Sequence, residues 1–211
     1  MSEIAPERFR RIDSALPFWL SLTTVPVLIL SVAWGGWAVC LMPLYTWGLY
    51  AALDAVLGLN EDNADPNTPE GDLFWYRLIT LVWFPVQFLM LMFMLWVVAR
   101  SPDFSLVQKF VLFFGQGVMS GTIGIVYSHE FMHQRTRVER WLGDLLLATV
   151  LYSHFRTEHL LVHHIYVGTP RDAVTARYGE GFHRYFLRVL LECPQSAWKA
   201  EAAMLRRRGK G

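Results

Sequence analysis

The chain has 211 residues, and its 19 Lys and Arg residues nearly balance its 18 Asp and Glu residues, giving a formal net charge of +1. Hydrophobic residues make up 54% of the chain and charged residues 18%, whereas soluble domains average about 45–50% and about 25%. This composition excludes a disordered chain and a disulfide scaffold. The near-zero net charge argues against a nucleic-acid partner. The composition therefore favours a membrane protein.

Four uncharged stretches follow one another along the first part of the chain. No charged residue lies between Asp13 and Asp54, a run about twice the ~20 residues with which a helix crosses a bilayer. Gly35 and Gly36 near its middle permit a tight reversal, so this run predicts two spans. With two later runs, the sequence predicts an all-α integral membrane fold with transmembrane helices at about residues 16–34, 37–57, 78–99 and 110–128.

The basic residues predict the orientation of these spans. Arg8, Arg10 and Arg11 precede the first span, and most other Lys and Arg residues follow the fourth. Positively charged flanks stay in the cytoplasm, and an even number of spans returns the chain to its starting side. We therefore expect a multi-pass protein of the inner membrane, with the N-terminus in the cytoplasm. Residues 1–128 are predicted to hold the spans, and residues 129–211 a cytoplasmic metal-binding region.

The first histidine cluster begins where the fourth predicted span ends. His129-Glu130-Phe-Met-His133 places two imidazoles one helical turn apart on the same face, where they can hold one metal ion. The same five residues match the His-Glu-x-x-His motif of zinc proteases, in which the glutamate is the general base. So short a match also occurs by chance, and a membrane zinc protease is one alternative interpretation.

The second histidine cluster repeats this spacing and adds a third ring. His159 and His163 are again four residues apart, and on an α-helix His164 points about 100° away, from where it can reach a second ion. Five clustered imidazoles are too many for one open catalytic zinc and suit two ions better. His154 and His183 stand outside the spacing and are interpreted as solvated or hydrogen-bonded side chains.

Two glutamates lie directly beside candidate metal ligands. Glu130 and Glu158 can each accept a hydrogen bond from a ligating imidazole and so orient its ring. A helix-surface carboxylate is an equally good interpretation of each residue. The sequence leaves both interpretations open.

Taken in order, these motifs resemble the membrane-bound non-haem di-iron family of alkane monooxygenases, fatty-acid desaturases and hydroxylases. The resemblance is strongest to the branch of alkane 1-monooxygenase and xylene monooxygenase. It also includes the segment Gly168–Glu180, and Asp54-Ala-Val-Leu-Gly58 followed by Glu61-Asp62. The resemblance implies that two iron ions are held by His129, His133, His159, His163 and His164.

The resemblance also implies an activity and its partners. The implied enzyme uses O₂ to hydroxylate an unactivated C–H bond, with the terminal methyl of an alkane as the favoured site. Its substrate is an apolar molecule taken from the lipid bilayer, and a rubredoxin-type carrier supplies the electrons. The basic tail, Arg206 to Arg208 with Lys210, can attract an acidic carrier or anionic lipid headgroups, or can be a solvated charged face.

Three features differ from the pattern of this family. Gln134 stands where the alkane branch often has Lys, and Val162 stands where its second cluster usually has Gly. The family has further spans and a third histidine region, whereas no histidine follows His183 here. We therefore expect an N-terminal part of a six-helix fold, inactive by itself. A non-enzymatic membrane protein that binds metal is the remaining alternative.

Overall fold

The structure is a computed structural model that describes residues 12–57 and 69–209, and within these ranges it contains helices and turns but no β-strand. This confirms the all-α prediction. The chain divides into two compact units, Met1–Val150 (unit 1) and Leu151–Gly211 (unit 2). Some residues used above lie outside the described ranges, namely Arg8, Arg10, Arg11, Gly58, Glu61, Asp62 and Lys210.

Unit 1 is built on four apolar helices, each long enough to cross a membrane. They are α1 (Ile12–Trp34), α2 (Gly36–Val56), α3 (Gly71–Arg100) and α4 (Leu106–His133). A shorter amphipathic helix, α5 (Arg137–Thr149), follows them. The helices α3 and α4 extend beyond the uncharged runs of the sequence, because a lack of charge marks the residues that fit into lipid and not the ends of the backbone helix.

The outward faces of these helices are apolar. On α3, Phe88, Leu89 and Leu95 are exposed, while Trp83 and Met94 are buried. A helix at the surface of a soluble protein carries polar residues on its outer face, whereas a helix in contact with lipid carries apolar ones. The chain is therefore a multi-pass membrane protein.

The reversal between α1 and α2 occurs at the glycine pair, as the sequence predicts. Gly35 and Gly36 have φ angles of 59° and 52°, in the left-handed region that residues with a Cβ atom rarely adopt. A Cβ on Gly35 would also lie 3.2 Å from Cε1 of Phe104. Both the backbone conformation and the close packing therefore favour glycine at position 35.

A buried glutamine connects α3, α4 and α5. Gln87 on α3 accepts a hydrogen bond of 2.8 Å from Nε1 of Trp83 and donates one of 2.7 Å to Oγ1 of Thr149. Gly124 closes the π-helical turn Ser120–Gly124 of α4, and a Cβ there would lie 2.1 Å from Oε1 of Gln87. The absence of a side chain at position 124 therefore makes room for this polar contact inside the bundle.

Unit 2 consists of two helices and the segment between them. The first helix, α6, covers residues 155–166, and its middle part, His159–His163, is a π-helical turn. The loop 167–181 leads to the long helix α7 (Phe182–Arg207). Thr157 on α6 donates a hydrogen bond of 2.5 Å to Glu201 on α7, so the two helices are joined by side chains far apart in sequence.

Candidate metal centre

The first histidine pair lies on the last turns of α4. The ring centroids of His129 and His133 are 4.8 Å apart, as expected for residues one helical turn apart on the same face. Phe131 and Met132, between them in sequence, are buried in the core of unit 1. The helix is therefore anchored by its apolar face while the two imidazoles remain accessible to a metal ion.

Helix α5 packs closely against this end of α4. Oγ of Ser128 donates a hydrogen bond of 2.9 Å to the carbonyl oxygen of Gly143. A Cβ on Gly143 would lie 3.0 Å from Cβ of Phe131. Glycine at position 143 thus allows the close contact that holds the end of α4 in place.

An ion pair ties α5 to the start of α3. Nε and Nη2 of Arg77 lie 2.5 and 2.7 Å from the two carboxylate oxygens of Glu139, whose side chain is 3% exposed. The hydroxyl of Thr136, the residue that caps α5, donates to the same carboxylate. Burial raises the pKa of Glu139, but the hydrogen bonds from Arg77 and Thr136 outweigh it and hold the pKa below its ordinary value.

The second histidine cluster is arranged differently from the α-helical expectation. The turn His159–His163 is π-helical, and such a turn joins residues i and i+5. His164 therefore stands nearest to His159, with their Nε2 atoms 3.0 Å apart. Their ring centroids are 4.4 Å apart, against 5.4 Å between His159 and His163. The expectation that His164 points away from His159 is wrong.

The Nε2 atoms of His159 and His164 are within hydrogen-bonding distance of each other, and two ligands of one ion have the same spacing. Two nitrogens that each lie about 2.1 Å from an ion, at right angles, are about 3 Å apart. Glu158 is fully buried, and among the described residues neither of its carboxylate oxygens has a hydrogen-bond partner. A buried carboxylate without a donor is costly unless a cation compensates it or a proton neutralises it, and burial raises the pKa of Glu158. The donor set of unit 2 therefore fits a bound metal ion.

His163 has a carboxylate partner in the loop 167–181. Its Nδ1 atom lies 2.9 Å from Oδ2 of Asp172, whose side chain is fully buried. Burial raises the pKa of Asp172, but hydrogen bonds from Thr175, His163 and the backbone N–H of Val174 outweigh it, and the pKa lies below its ordinary value. Asp172 is not among the site residues predicted from the sequence. Its only signal was membership of the segment Gly168–Glu180.

The other polar candidates lie apart from these contacts. Glu130 is exposed and accepts a hydrogen bond of 2.8 Å from Nε2 of Gln134, as a helix-surface carboxylate does. Nε2 of His154 is buried and has no hydrogen-bond partner within residues 12–57 and 69–209, and burial lowers the pKa of this residue. His183 is exposed. Ligation of metal by the five predicted histidines stays a prediction.

Unit 1 also contains an open cavity of about 420 Å³ between α1, α2 and α4. Most of its lining is apolar, and several of the lining side chains are themselves partly exposed, among them Phe18, Leu20 and Val126. The hydroxyl of Tyr127 donates to the backbone carbonyl of Phe18 over 3.1 Å and so joins α4 to α1 beside the cavity. The cavity can therefore accept an apolar molecule from the outer face of the bundle.

Comparison with known proteins identifies the family. Residues 105–210, which include both histidine clusters, match the family model described as "Fatty acid desaturase". The chain belongs to the fatty acid desaturase family. The prediction that the order of the motifs indicates this family is confirmed.

Curated relatives confirm the resemblance to one branch of the fatty acid desaturase family. Alkane 1-monooxygenase 2 from Pseudomonas aeruginosa is 31% identical over 202 residues, which cover 91% of this chain and 53% of the relative. Alkane 1-monooxygenase from Ectopseudomonas oleovorans is 29% identical, over 97% of this chain and 54% of the relative. The xylene/toluene monooxygenase hydroxylase component XylM from Pseudomonas putida is 30% identical over 92 residues, which cover 44% of this chain and 25% of that protein. This chain spans about half the length of the alkane monooxygenases it matches.

Proposed function

We propose that this chain takes part in the O₂-dependent hydroxylation of an unactivated C–H bond in an apolar substrate, with the terminal methyl of an alkane as the first candidate. One observation carries the proposal. The Nε2 atoms of His159 and His164 lie 3.0 Å apart, in a membrane protein whose curated relatives are named alkane 1-monooxygenases. Four apolar helices bring the protein into the phase where such substrates dissolve.

Two non-haem iron ions are the proposed cofactors. His129 and His133 would supply ligands from α4, and His159, His163 and His164 would supply ligands from α6. Imidazole binds iron and zinc alike, and membership of the fatty acid desaturase family favours iron. Bound iron would supply the activation of O₂. The protein's own groups would hold the ligand rings in place, bind the substrate and exclude water.

The apolar substrate is proposed to enter from the lipid bilayer. The cavity between α1, α2 and α4 is open and mostly apolar, so an alkane leaving lipid for this cavity exchanges one apolar environment for another. Binding then depends on close packing rather than on transfer from water. The same lining contains the polar side chains of Ser21, Tyr50 and Asp54. These polar groups would limit how deeply an alkane enters the cavity.

A rubredoxin-type carrier is the proposed electron donor, and the histidine clusters are proposed to face the cytoplasm of an inner membrane. Arg206, Arg207 and Arg208 at the end of α7 are exposed. A cluster of positive charge accelerates the approach of an acidic protein, and positively charged segments flanking spans stay cytoplasmic. On this proposal the electron donor binds on the side of the membrane where soluble reductants are found.

A zinc protease fits the structure less well. In that interpretation Glu130 would activate a water molecule beside the ion held by His129 and His133. Instead Glu130 lies on the exposed helix surface and is hydrogen-bonded to Gln134.

Metal analysis tests the proposal directly. The protein is purified in detergent, its iron and zinc are measured, and the oxidation of octane is followed with rubredoxin and a reductase. We expect iron in preference to zinc, and loss of iron in H133A and H163A but not in the matched variant H183A. Stoichiometric zinc without iron would favour the protease. Stoichiometric iron in H163A would contradict the ligand assignment. Bound iron without 1-octanol, even in a chain extended to the full length of the alkane monooxygenases, would favour a non-enzymatic metal-binding protein.

A further inference from the structure

Arg188 on α7 is a buried arginine whose donors are directed at the loop 167–181. Its side chain is only 9% exposed. Nε and Nη2 donate to the two carboxylate oxygens of Glu180 over 2.8 and 2.6 Å. Nη1 donates to the carbonyl of Ala173 over 2.6 Å, and Nη2 to that of Thr175 over 3.1 Å. Because a guanidinium group is planar and rigid, these bonds fix the backbone of the loop as well as one of its side chains.

Three successive carbonyl groups of the loop are bound by α7. Between the two that Arg188 holds, the carbonyl of Val174 accepts a hydrogen bond of 3.1 Å from the hydroxyl of Tyr185. Exposed loops commonly leave such groups to water and are mobile in consequence. Residues 173–175 are instead attached to a helix of 26 residues, and they directly follow Asp172.

The segment bound by α7 lies directly beside Asp172, which is next to His163. Both carboxylate oxygens of Asp172 accept hydrogen bonds there. The hydroxyl oxygen of Thr175 accepts from the N–H of Gly168 over 3.0 Å, so its own proton is directed at Oδ2 of Asp172, 2.5 Å away. The N–H of Val174 donates to Oδ1 over 3.1 Å. With donors on both oxygens the carboxylate acts as an acceptor. Nδ1 of His163, 2.9 Å away, is then the donor.

We propose that Asp172 is a positioning residue for metal binding, held in place by Arg188 and Glu180, and that it fixes His163 in the tautomer whose Nε2 is free of a proton. A neutral imidazole has one N–H and one lone pair, so a bond from Nδ1–H to a carboxylate leaves Nε2 as the ligating atom. A carboxylate behind a ligating histidine orients the ring and raises its basicity. The inference rests on the proposed role of His163 as a metal ligand. It implies that metal binding by His163 also depends on α7 and on the loop 167–181.

The tautomer can be measured without iron, oxygen or substrate. The full chain is labelled with ¹⁵N-histidine, placed in lipid nanodiscs without metal, and the resonances of His163 are assigned by their loss in H163Q. We expect a protonated Nδ1 and an unprotonated Nε2 in the wild type. In D172L the proton is expected to move to Nε2, because the acceptor at Nδ1 is gone. If D172L does not fold, D172N decides the question: it keeps the volume of Asp172 but replaces the carboxylate by a weaker acceptor, and it should populate the Nε2–H tautomer in part.

Binding of Co²⁺, followed by its visible absorption, gives a second readout. Loss of the hydrogen-bond partner of a ligand lowers metal affinity by about 10–100-fold, so we expect this decrease in D172L. E180Q and R188K should weaken Co²⁺ binding in the same direction, because they release the loop. E192Q is the matched control: Glu192 touches Arg188 over 3.2 Å and the loop residue Arg177 over 3.4 Å, but it is 41% exposed, so water screens both contacts. It should stay within twofold of the wild type.

A double-mutant cycle separates positioning from a general effect on the fold. In the H163Q background, D172N should lower Co²⁺ affinity no further, since its target ring is absent. The same tautomer and the same Co²⁺ affinity in D172L or D172N as in the wild type would overturn the inference, as would an undiminished effect of D172N in H163Q. Failure to bind iron, or failure of a chain extended to the length of the alkane monooxygenases to hydroxylate octane, with the tautomer and Co²⁺ results as expected, would overturn only the proposed function.

Discussion

The two histidine clusters share a sequence spacing but differ in backbone. On α4, His129 and His133 follow a regular α-helical turn, and their rings meet edge-to-face with centroids 4.8 Å apart. On α6 a π-helical turn replaces the α-helical one, and the nitrogens of His159 and His164 come within 3.0 Å. The spacing of four therefore identifies neighbouring rings in both clusters, but in the second cluster His164 lies even nearer to His159 than His163 does.

The two clusters also differ in their surroundings. The end of α4 is enclosed by α5, with Gly143 in contact with Phe131 and Ser128, and it continues a long apolar helix. Residues 155–166 form a short helix that carries the buried Glu158 and the histidines His159, His163 and His164. In π-helical turns, which are often found at functional sites, residues five apart are brought together. A chain that must group three imidazoles on a short helix benefits from that change.

The largest expected effect tests the π-helical arrangement itself. If His159 and His164 share one ion, H159A and H164A should each lower Co²⁺ affinity by more than 100-fold, beyond the about 10–100-fold typical of partners that only orient a ligand. The double variant should be hardly weaker than either single one, because the shared ion is already lost. H183A serves as the control. If H164A binds Co²⁺ as tightly as the wild type, His159 and His164 do not share one ion, and the α-helical interpretation of the cluster is favoured.

A smaller effect is expected from the packing that holds the first cluster. In G124A the new Cβ would meet Oε1 of Gln87 at 2.1 Å, so Gln87 must move and lose its bonds to Trp83 and Thr149. Overpacking of this kind lowers the free energy of unfolding by about 1–3 kcal/mol. G117A is the matched change, since no atom lies within 4 Å of its Cβ, and a helical Gly→Ala replacement should stabilise by up to about 1 kcal/mol.

Unfolding of both variants in mixed detergent micelles gives these free energies. Hydrogen exchange of residues 155–207 should be the same in G124A and in the wild type, if the change acts on unit 1 alone. Equal free energies of unfolding for G124A and G117A would show that Gln87 can accommodate the new Cβ without losing its hydrogen bonds.

The smallest effect concerns the loop that serves the second cluster and depends on pH. The hydrogen bond from Arg188 lowers the pKa of Glu180 from 4.5 to about 2. A carboxyl group with a lowered pKa stabilises the folded state fully above its unfolded pKa, and the contribution is lost as the pH falls through the folded pKa. The protection of loop amides attributable to Glu180 should therefore be constant above about pH 4.5, fall below it, and vanish near pH 2.

Hydrogen exchange of the loop 167–181, compared between the wild type and E180Q at each pH, measures this contribution and cancels the intrinsic pH dependence of exchange. E192Q should follow the wild type. A difference between wild type and E180Q that is already lost at pH 5 would show that Glu180 is not held by Arg188 in solution.

Much of the fold could be predicted from the sequence, because hydrophobic runs and glycine turns are local properties. The four spans and the Gly35-Gly36 reversal needed no tertiary information, since the bilayer sets the helix length and positive φ angles select glycine. The order of the histidine clusters likewise indicated the fatty acid desaturase family, which the family match confirms. Helix ends were less predictable. The charged Arg77 lies inside α3 because it forms an ion pair with Glu139, 62 residues away, and this partner cannot be read from the local sequence.

The sequence by itself determined that this is an all-α membrane protein with two histidine clusters. Only the tertiary structure decided which imidazoles meet and what supports them. The pairing of His159 with His164 depends on a backbone hydrogen-bond register that spacing does not reveal. Asp172, the partner of His163, lies beside loop carbonyl groups that Arg188 binds, and every residue has a carbonyl. Interactions that use the backbone leave no pattern of side chains in the sequence, and so they become visible only when the chain is folded.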